Sequence, residues 1–472
     1  MPLSRKTYYF IGIITAISGS IIQSIQVAQP QPPTGVIDAV SCNTIRGWAW
    51  DRDAPNTSIN LHIYVNKLAQ SRGKVDYIVN ANLNRPDLVS LAGDNGKHGF
   101  EWSVPDFLKS ETGSALYIYA IDATGKQNTL LSKQPIILRG CQSKFRNAGF
   151  FKIADSANNG YTYGYAPTII KENGIYHTFY CSNPELGAGI DAVRYVYSED
   201  ALNWSHPKIV LRAKPSINSN SGKWINRSAC DPSLVYYKGY YYLYYTNQHQ
   251  TGSNLVDEKR STQGNISVAR ASKISGPYLT YTERRTWEEN PPDAKIIIFP
   301  QVKRSGNQHS YGAGQQTVVV KHGELYMWFT DDSIAPLKQP RIYFFTSQDP
   351  VNWTAKPVPT NLAKTSSVDI KYEDITNRFV MIKILDIHTQ NASVVASDST
   401  DGINWKNFRT IYPEQNFPAF AHNIGMSGNK EGHFVPGEHP IVAFGAPYAL
   451  SRQDTWGAWD LFGVRADILK AQ

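Results

Sequence analysis

The side chains best suited to chemistry in this chain are carboxylates at the ends of aromatic strands. Asp231 is the clearest. It opens the run Asp231-Pro232-Ser233-Leu234-Val235-Tyr236-Tyr237, which a Lys238-Gly239 turn joins to Tyr240-Tyr241-Tyr242-Leu243-Tyr244-Tyr245. Tyr and Val favour a pleated surface, and Gly supplies the backbone freedom that a hairpin turn requires. A carboxylate placed at such a strand start can carry a proton or activate a water molecule. Asp369 opens a similar strand, Val368-Asp369-Ile370-Lys371-Tyr372. Asp191, Asp331 and Asp332 stand at other strand ends, where capping a turn is the commoner role for an acid.

The elements that must position these residues repeat. Ala166-Pro167-Thr168 through Tyr180 aligns with the unit from Asp231, and Gln315-Gln316-Thr317 through Phe329 gives a third copy. Val368–Ile382 is a looser fourth, and His422–Met426 with Pro440–Phe444 a fifth. The second half of the unit repeats as well. Tyr197-Ser198-Glu199-Asp200-Ala201-Leu202-Asn203-Trp204 matches Thr346–Trp353, Ser399–Trp405 and, more distantly, Ala271–Tyr278. Four-strand units at a period of about 50 residues predict propeller blades. The fold expected is all-β: a five-bladed β-propeller over residues 146–472, closed by a strand at Ala458–Val464, preceded by a small β-sandwich. Residues 283–307, charged and Pro-rich, read as a long loop over one face.

Residues 36–141 carry short alternating runs such as Ile59–Val65, Gly99–Val104 and Ala115–Ile121, the pattern of a sandwich. Trp48 and Trp50 within it would serve the core or, alternatively, a sugar-stacking face. Asp51 and Asp53 suit a polar turn better than a calcium loop. A Pro-rich linker covers 29–35. Residues 1–28, with Arg5 and Lys6 before a mostly apolar run, read as an export signal or, alternatively, an uncleaved anchor, so membrane contact would come only through that leader. A secreted, cell-surface or periplasmic location follows. In such a compartment the four cysteines suggest two disulfides, Cys42 with Cys141 and Cys181 with Cys230, a reduced buried pair being the alternative.

The formal charge of +8 is spread over scattered basic residues with no Lys/Arg run, which points away from nucleic acid. No phosphate loop, dinucleotide fingerprint or zinc spacing is present, so no organic cofactor is expected.

Five blades with a Cys230-Asp231-Pro232-Ser233 … Gly239–Tyr245 unit make the chain resemble the five-bladed glycosidase propellers, glycoside hydrolase family 43 and its arabinofuranosidase, levanase and invertase relatives. The segments Gly47–Asp51, Asn84–Asp87 and His98–Pro105 resemble immunoglobulin-like accessory modules of exported bacterial proteins. The first resemblance implies hydrolysis of a glycosidic bond by carboxylates around the propeller axis, one protonating the leaving oxygen and another activating water or attacking carbon. Position by position it carries over at Asp231 alone, where the resemblance implies the second blade's orienting and pKa-tuning Asp. Ala166 stands where the first blade's base or nucleophile belongs, and Gln315, or Gly314 before it, where the third blade's acid Glu belongs. Asp231 and Asp369 are therefore the expected catalytic residues. Tyr165, Gln315, Tyr311 and His422, with Tyr163 and His309 near the same mouth, are the expected sugar contacts. His422 also resembles a fifth-blade histidine that holds calcium through water, with a hydrogen-bonded axial His as the equal alternative. Two functions follow: a monomeric hydrolase of a poly- or oligosaccharide, or a non-catalytic propeller that binds carbohydrate or another surface polymer.

Overall fold

The computed structural model describes residues 30–469 apart from 66–67, 70–74, 76, 105–107, 110–114, 132–134, 142–148, 157–162, 186–189, 218–223, 251–261, 302–310, 334–339, 364, 414–415 and 448–458. The leader, His309 and the 146 boundary lie outside the described residues. No helix among the described residues is long and apolar enough to cross a membrane.

From Phe151 onward the strands build five blades, each starting with an inner strand: Tyr165–Glu172, Ala229–Tyr237, Ala313–Lys321, Val368–Glu373 and His422–Gly428. Each blade is an antiparallel meander, and the second carries a fifth strand, Trp287–Glu288. The segment after residue 282 is therefore partly an extension of that blade. Ile266 bridges Ile298 and Thr282 bridges Ala294, so its backbone groups are paired where a free loop had been expected.

The ring closes differently from the sequence expectation. Trp459–Arg465 is the third strand of the fifth blade, and the outermost strand is Phe151–Ala154, from the start of the propeller. The two chain ends thus complete one sheet. The inner strands of the fifth and first blades also touch, with Ile169 and Ile170 pairing Ser427 and Gly428 in parallel.

The aromatic hairpin around Tyr240 shows why the repeat is so rich in tyrosine. Both faces of a blade are covered by neighbours, so both must be apolar. Val235, Tyr237, Tyr242 and Tyr244 pack against the third blade's Val318, Met327 and Phe329. Leu234, Tyr241, Leu243 and Tyr245 pack against the first blade's Phe179, Val193 and Tyr195. Two of the buried hydroxyls show how the polar ends are satisfied: Tyr237 lies 2.9 Å from the carbonyls of both Gly323 and Gln348, and Tyr244 donates to that of Pro350 at 3.0 Å. The repeated turns have an equally local cause. Asp200 accepts the N–H groups of Leu202 and Asn203, and Asp401 those of Ile403 and Asn404.

Between residues 34 and 137 the strands lie in two antiparallel sheets with one shared core, including Ile45, Leu61, Ile63, Phe100, Trp102, Leu116 and Ile118. The first strand begins at Thr34, inside the stretch read as linker. Trp50 faces away from that core; it is buried beside His98 and donates to Asp94 at 3.0 Å. Asp51 accepts the N–H groups of Asp53 and Ala123, a turn-capping arrangement. Disulfides join Cys42 to Cys141 and Cys181 to Cys230.

Candidate active site

One backbone feature recurs in all five blades and builds the axial site. At the head of each inner strand a non-glycine residue adopts a left-handed conformation: Ala166 (φ 50°), Asp231 (46°), Gln315 (50°), Ser367 (52°) and Asn423 (41°). In four blades the pairing register shifts at that point, as at a β-bulge. A left-handed L-residue costs about 1–2 kcal/mol, so five around one axis are held there by the surrounding sheet. These five residues and their successors line a narrow cavity on the axis, of about 20 Å³, which is about the room a water molecule needs.

Asp231 is the carboxylate of this ring and is only 7% exposed. Tyr311 and Thr246 donate hydroxyl hydrogen bonds to its Oδ2 at 2.7 and 2.9 Å, and Asn423 donates from the fifth blade to Oδ1 at 3.2 Å. Gln316 donates its amide to the Asp231 carbonyl and to that of Tyr244. Burial pushes the Asp231 carboxyl up to about 6, and the charge of Asp191 adds to this, against the three hydrogen bonds that favour the ionised form. Such a group holds and releases its proton near neutral pH, as a general acid must.

Tyr311 is held in turn by Asp332, which accepts the N–H groups of Tyr311 and Gly312 at 2.9 and 2.8 Å. Asp331 accepts from Gln301 and Ser333. Asp332 therefore caps the turn that delivers Tyr311, while Asp331 holds the backbone at Gln301 and Ser333. Tyr165 precedes the first ring position, and its hydroxyl lies 3.0 Å from Cys230 Sγ. Its ring packs on His422 and Trp459, with centroids 4.8 and 5.5 Å away.

Asp369 lines the same axial cavity as Asp231, as expected, but not at a ring position. The fourth blade's ring position is Ser367, and Asp369 lies two residues further along. Its oxygens accept from Lys371 Nζ at 2.7 and 2.8 Å, from Thr317 at 2.8 Å and from the N–H groups of Met426 and Ile370 at 2.6 and 2.9 Å. It ties the third, fourth and fifth blades together. His422 likewise falls one residue short of the ring, which Asn423 occupies. Burial holds its imidazole well below the ordinary value, and neighbouring His388 adds to this, their ring centroids 4.1 Å apart. The rings of Tyr165, His388 and Trp459, among the described residues, pack against it. Among the described residues, the three ligating side chains that come together are Cys181, Asp191 and Cys230, whose two sulfurs are bonded to each other.

Thr246, Gln316 and Asn423 escaped sequence reasoning. Asn423 carried a usable signal: it follows His422 as Asp231 follows Cys230 and Gln315 follows Gly314.

Residues 167–417 match the family described as glycosyl hydrolases family 32 N-terminal domain. No curated protein matches the chain. Among solved structures, it is similar to an alpha-L-arabinofuranosidase from Podospora anserina in complex with cellotriose (12% identity, 68% of this chain and 96% of that one, TM-score 0.46). It is similar also to a family 117 glycoside hydrolase from Zobellia galactanivorans (16%, 68% and 90%, 0.44) and to an alpha-L-arabinofuranosidase from Lactobacillus brevis (13%, 64% and 90%, 0.45).

Proposed function

This chain belongs to the glycosyl hydrolases family 32 N-terminal domain family, and from that premise we propose that it is an exported hydrolase of a poly- or oligosaccharide. The observation that carries the reading is Asp231: a buried carboxylate on the propeller axis, held by three neutral donors, with its proton affinity raised toward neutrality. That is the environment of a proton donor to a leaving oxygen. Tyr311 and Asn423 orient it. Asp369, spent on Lys371 and the neighbouring blades, is scaffold in this reading. Tyr165, Gln315 and His422 would offer ring faces and amide groups to a sugar. The two disulfides favour an oxidising compartment and hence export. The strands of residues 34–137 would serve as an immunoglobulin-like spacer or glycan anchor.

The test is a screen of plant and microbial glycans for release of reducing sugar by the full-length protein, repeated with Asp231→Asn. Release that the substitution abolishes supports the reading; no release from any glycan that the protein binds sinks it.

A second reading, carbohydrate binding without cleavage, is favoured by Ala166 and Gln315 at the ring positions of the first and third blades, where neither can donate or accept a proton. Glycan binding that survives Asp231→Asn, with no cleavage by either form, supports it.

A further inference from the structure

Hydrolysis needs a second group to take a proton from water. The other four ring residues, Ala166, Gln315, Ser367 and Asn423, do not ionise, and Asp369, which also lines the axial cavity, is held in an ion pair by Lys371. A carboxylate outside the ring stands close by. Asp191 immediately precedes the strand Ala192–Ser198, the third of the first blade. It accepts hydrogen bonds from the Tyr163 hydroxyl and, at 2.5 Å, from the Ser228 hydroxyl, while its own N–H donates to Ser228 Oγ at 3.1 Å. These contacts fix it between the first two blades, half-buried where Asp231 is almost fully enclosed. A carboxylate oxygen of Asp191 lies within 4.8 Å of Cys230 Sγ, and that sulfur is 3.6 Å from Asp231 Oδ1. The nearest oxygens of the two carboxylates are therefore no more than about 8.4 Å apart, a span within which glycosidases work.

A separate observation points to a ligand beside Asp231. Asn423 and Gln316, 2% and 5% exposed, both line the axial cavity beside Asp231. Their amide oxygens have no hydrogen-bond partner among the described residues. The orientation of Gln316 is forced, because its nitrogen sits against two carbonyls, of Asp231 and Tyr244. Unfilled buried acceptors are costly, and hydroxyl groups of a ligand would satisfy them.

We infer that Asp191 is the second carboxylate of the reaction, supplying the base that Ala166 cannot, with Tyr163 and Ser228 as its positioning residues. The inference rests on the hydrolytic reading above. The Asp231 carboxyl passes its proton to the glycosidic oxygen as the bond from that oxygen to the anomeric carbon breaks. The oxygen of a water molecule bonds to the same carbon, and its released proton goes to the Asp191 carboxylate. One water is consumed, two sugar ends are produced, and exchange with solvent resets both acids.

The experiment uses the full-length protein and whichever glycan the wild type cleaves in the screen. Asp191→Asn should lower kcat by about 10²–10⁴-fold with KM little changed and the melting curve intact. Added azide should restore part of the rate to Asp191→Ala, which a purely structural role would not allow. Should either variant fail to fold, Tyr163→Phe decides: losing a donor to the carboxylate should move the acidic limb of the pH–rate profile upward, and an unmoved limb overturns the inference. So does an Asp191→Asn kcat within tenfold of wild type, which leaves the hydrolytic reading standing. A wild type that binds glycans and cleaves none overturns both.

Discussion

Tyr311 donates to Asp231 across two blades, its hydroxyl 2.7 Å from Oδ2, and the hydrogen bond favours the ionised carboxylate. Removing the donor must therefore raise the proton affinity of Asp231 further above its value of about 6. A hydrogen bond to a charged group is worth about 1.5–3 kcal/mol, and Thr246 remains, so about one pH unit is expected from Tyr311→Phe. With Asp231 as the acid, the alkaline limb of the pH–rate profile moves up by that amount. An unshifted limb would mean that Asp231 is not the group titrating in it.

The same carboxylate is a liability to the fold. Its affinity is raised from an ordinary 3.8 to about 6, so the folded state keeps a proton that the unfolded state has released. The contribution to stability is whole below pH 4, is lost as pH rises toward 6, and stays lost above, at most about 3 kcal/mol. Asp231→Asn removes the charge, and Asn423 can turn its unpartnered amide oxygen toward the new NH₂ group. The substituted protein should melt a few degrees higher than wild type at pH 7.5 and near it at pH 4, while losing activity. A melting difference that does not change with pH would contradict the burial argument.

Asp369 should behave in the opposite way. It forms a buried ion pair with Lys371, and taking away one partner leaves an uncompensated charge at a cost of about 3–5 kcal/mol. Chemical denaturation should show Asp369→Asn destabilised by that order, and the double change with Lys371→Met recovering most of it. Rate per folded molecule should stay within a few-fold of wild type. A thousandfold loss of kcat in a stable Asp369→Asn protein would return this residue to the catalytic set.

The contrast between these two acids marks what the sequence could disclose. The blades were legible because their causes are local: Tyr240–Tyr245 needs two apolar faces, and Asp200 and Asp401 must cap their turns. The fourth ring position was not, because Ser367 and Asp369 are two residues apart and fall on the same side of a period-two pattern. At His422 and Asn423 the difficulty was a slip of one residue beside a bulge. The approach of Asp191 to Asp231 left no trace in the pattern, since it depends on how the first two blades meet. The closing strand Phe151–Ala154 was hidden for a similar reason: its partner, Trp459–Arg465, lies at the far end of the chain.

The disulfide between Cys181 and Cys230 joins the first two blades one residue from Asp231, and its sequence separation is 49. Cross-links closing loops of this size contribute about 2–4 kcal/mol. Cys181→Ala with Cys230→Ala should lower the unfolding free energy by that order. It should also lower kcat at temperatures where the fold is intact, because Cys230 leads into the left-handed turn at Asp231. Stability lost with kcat unchanged would show that the sheet alone holds the carboxylate.

Gly314 offers a way to disturb Asp231 without touching it. A Cβ there would stand 2.5 Å from Thr246 Oγ1 and 2.6 Å from Tyr311 Oη, the two hydroxyls that hold Oδ2. Real Cβ atoms do not approach so closely, so Gly314→Ala must push both donors away. Tyr311 sits at the end of a long side chain and can swing, whereas Thr246 is β-branched and stiff, and the strand behind it must give. The expected result is a loss of about 1–3 kcal/mol in stability and a loss of kcat larger than that of Tyr311→Phe, since both hydrogen bonds go together. Adding Thr246→Ser to Gly314→Ala removes the Cγ2 methyl, which stands 2.8 Å from the same Cβ, and should return part of both losses. A Gly314→Ala protein with wild-type kcat would show that the proton affinity of Asp231 is set by burial alone, with its donors mere bystanders.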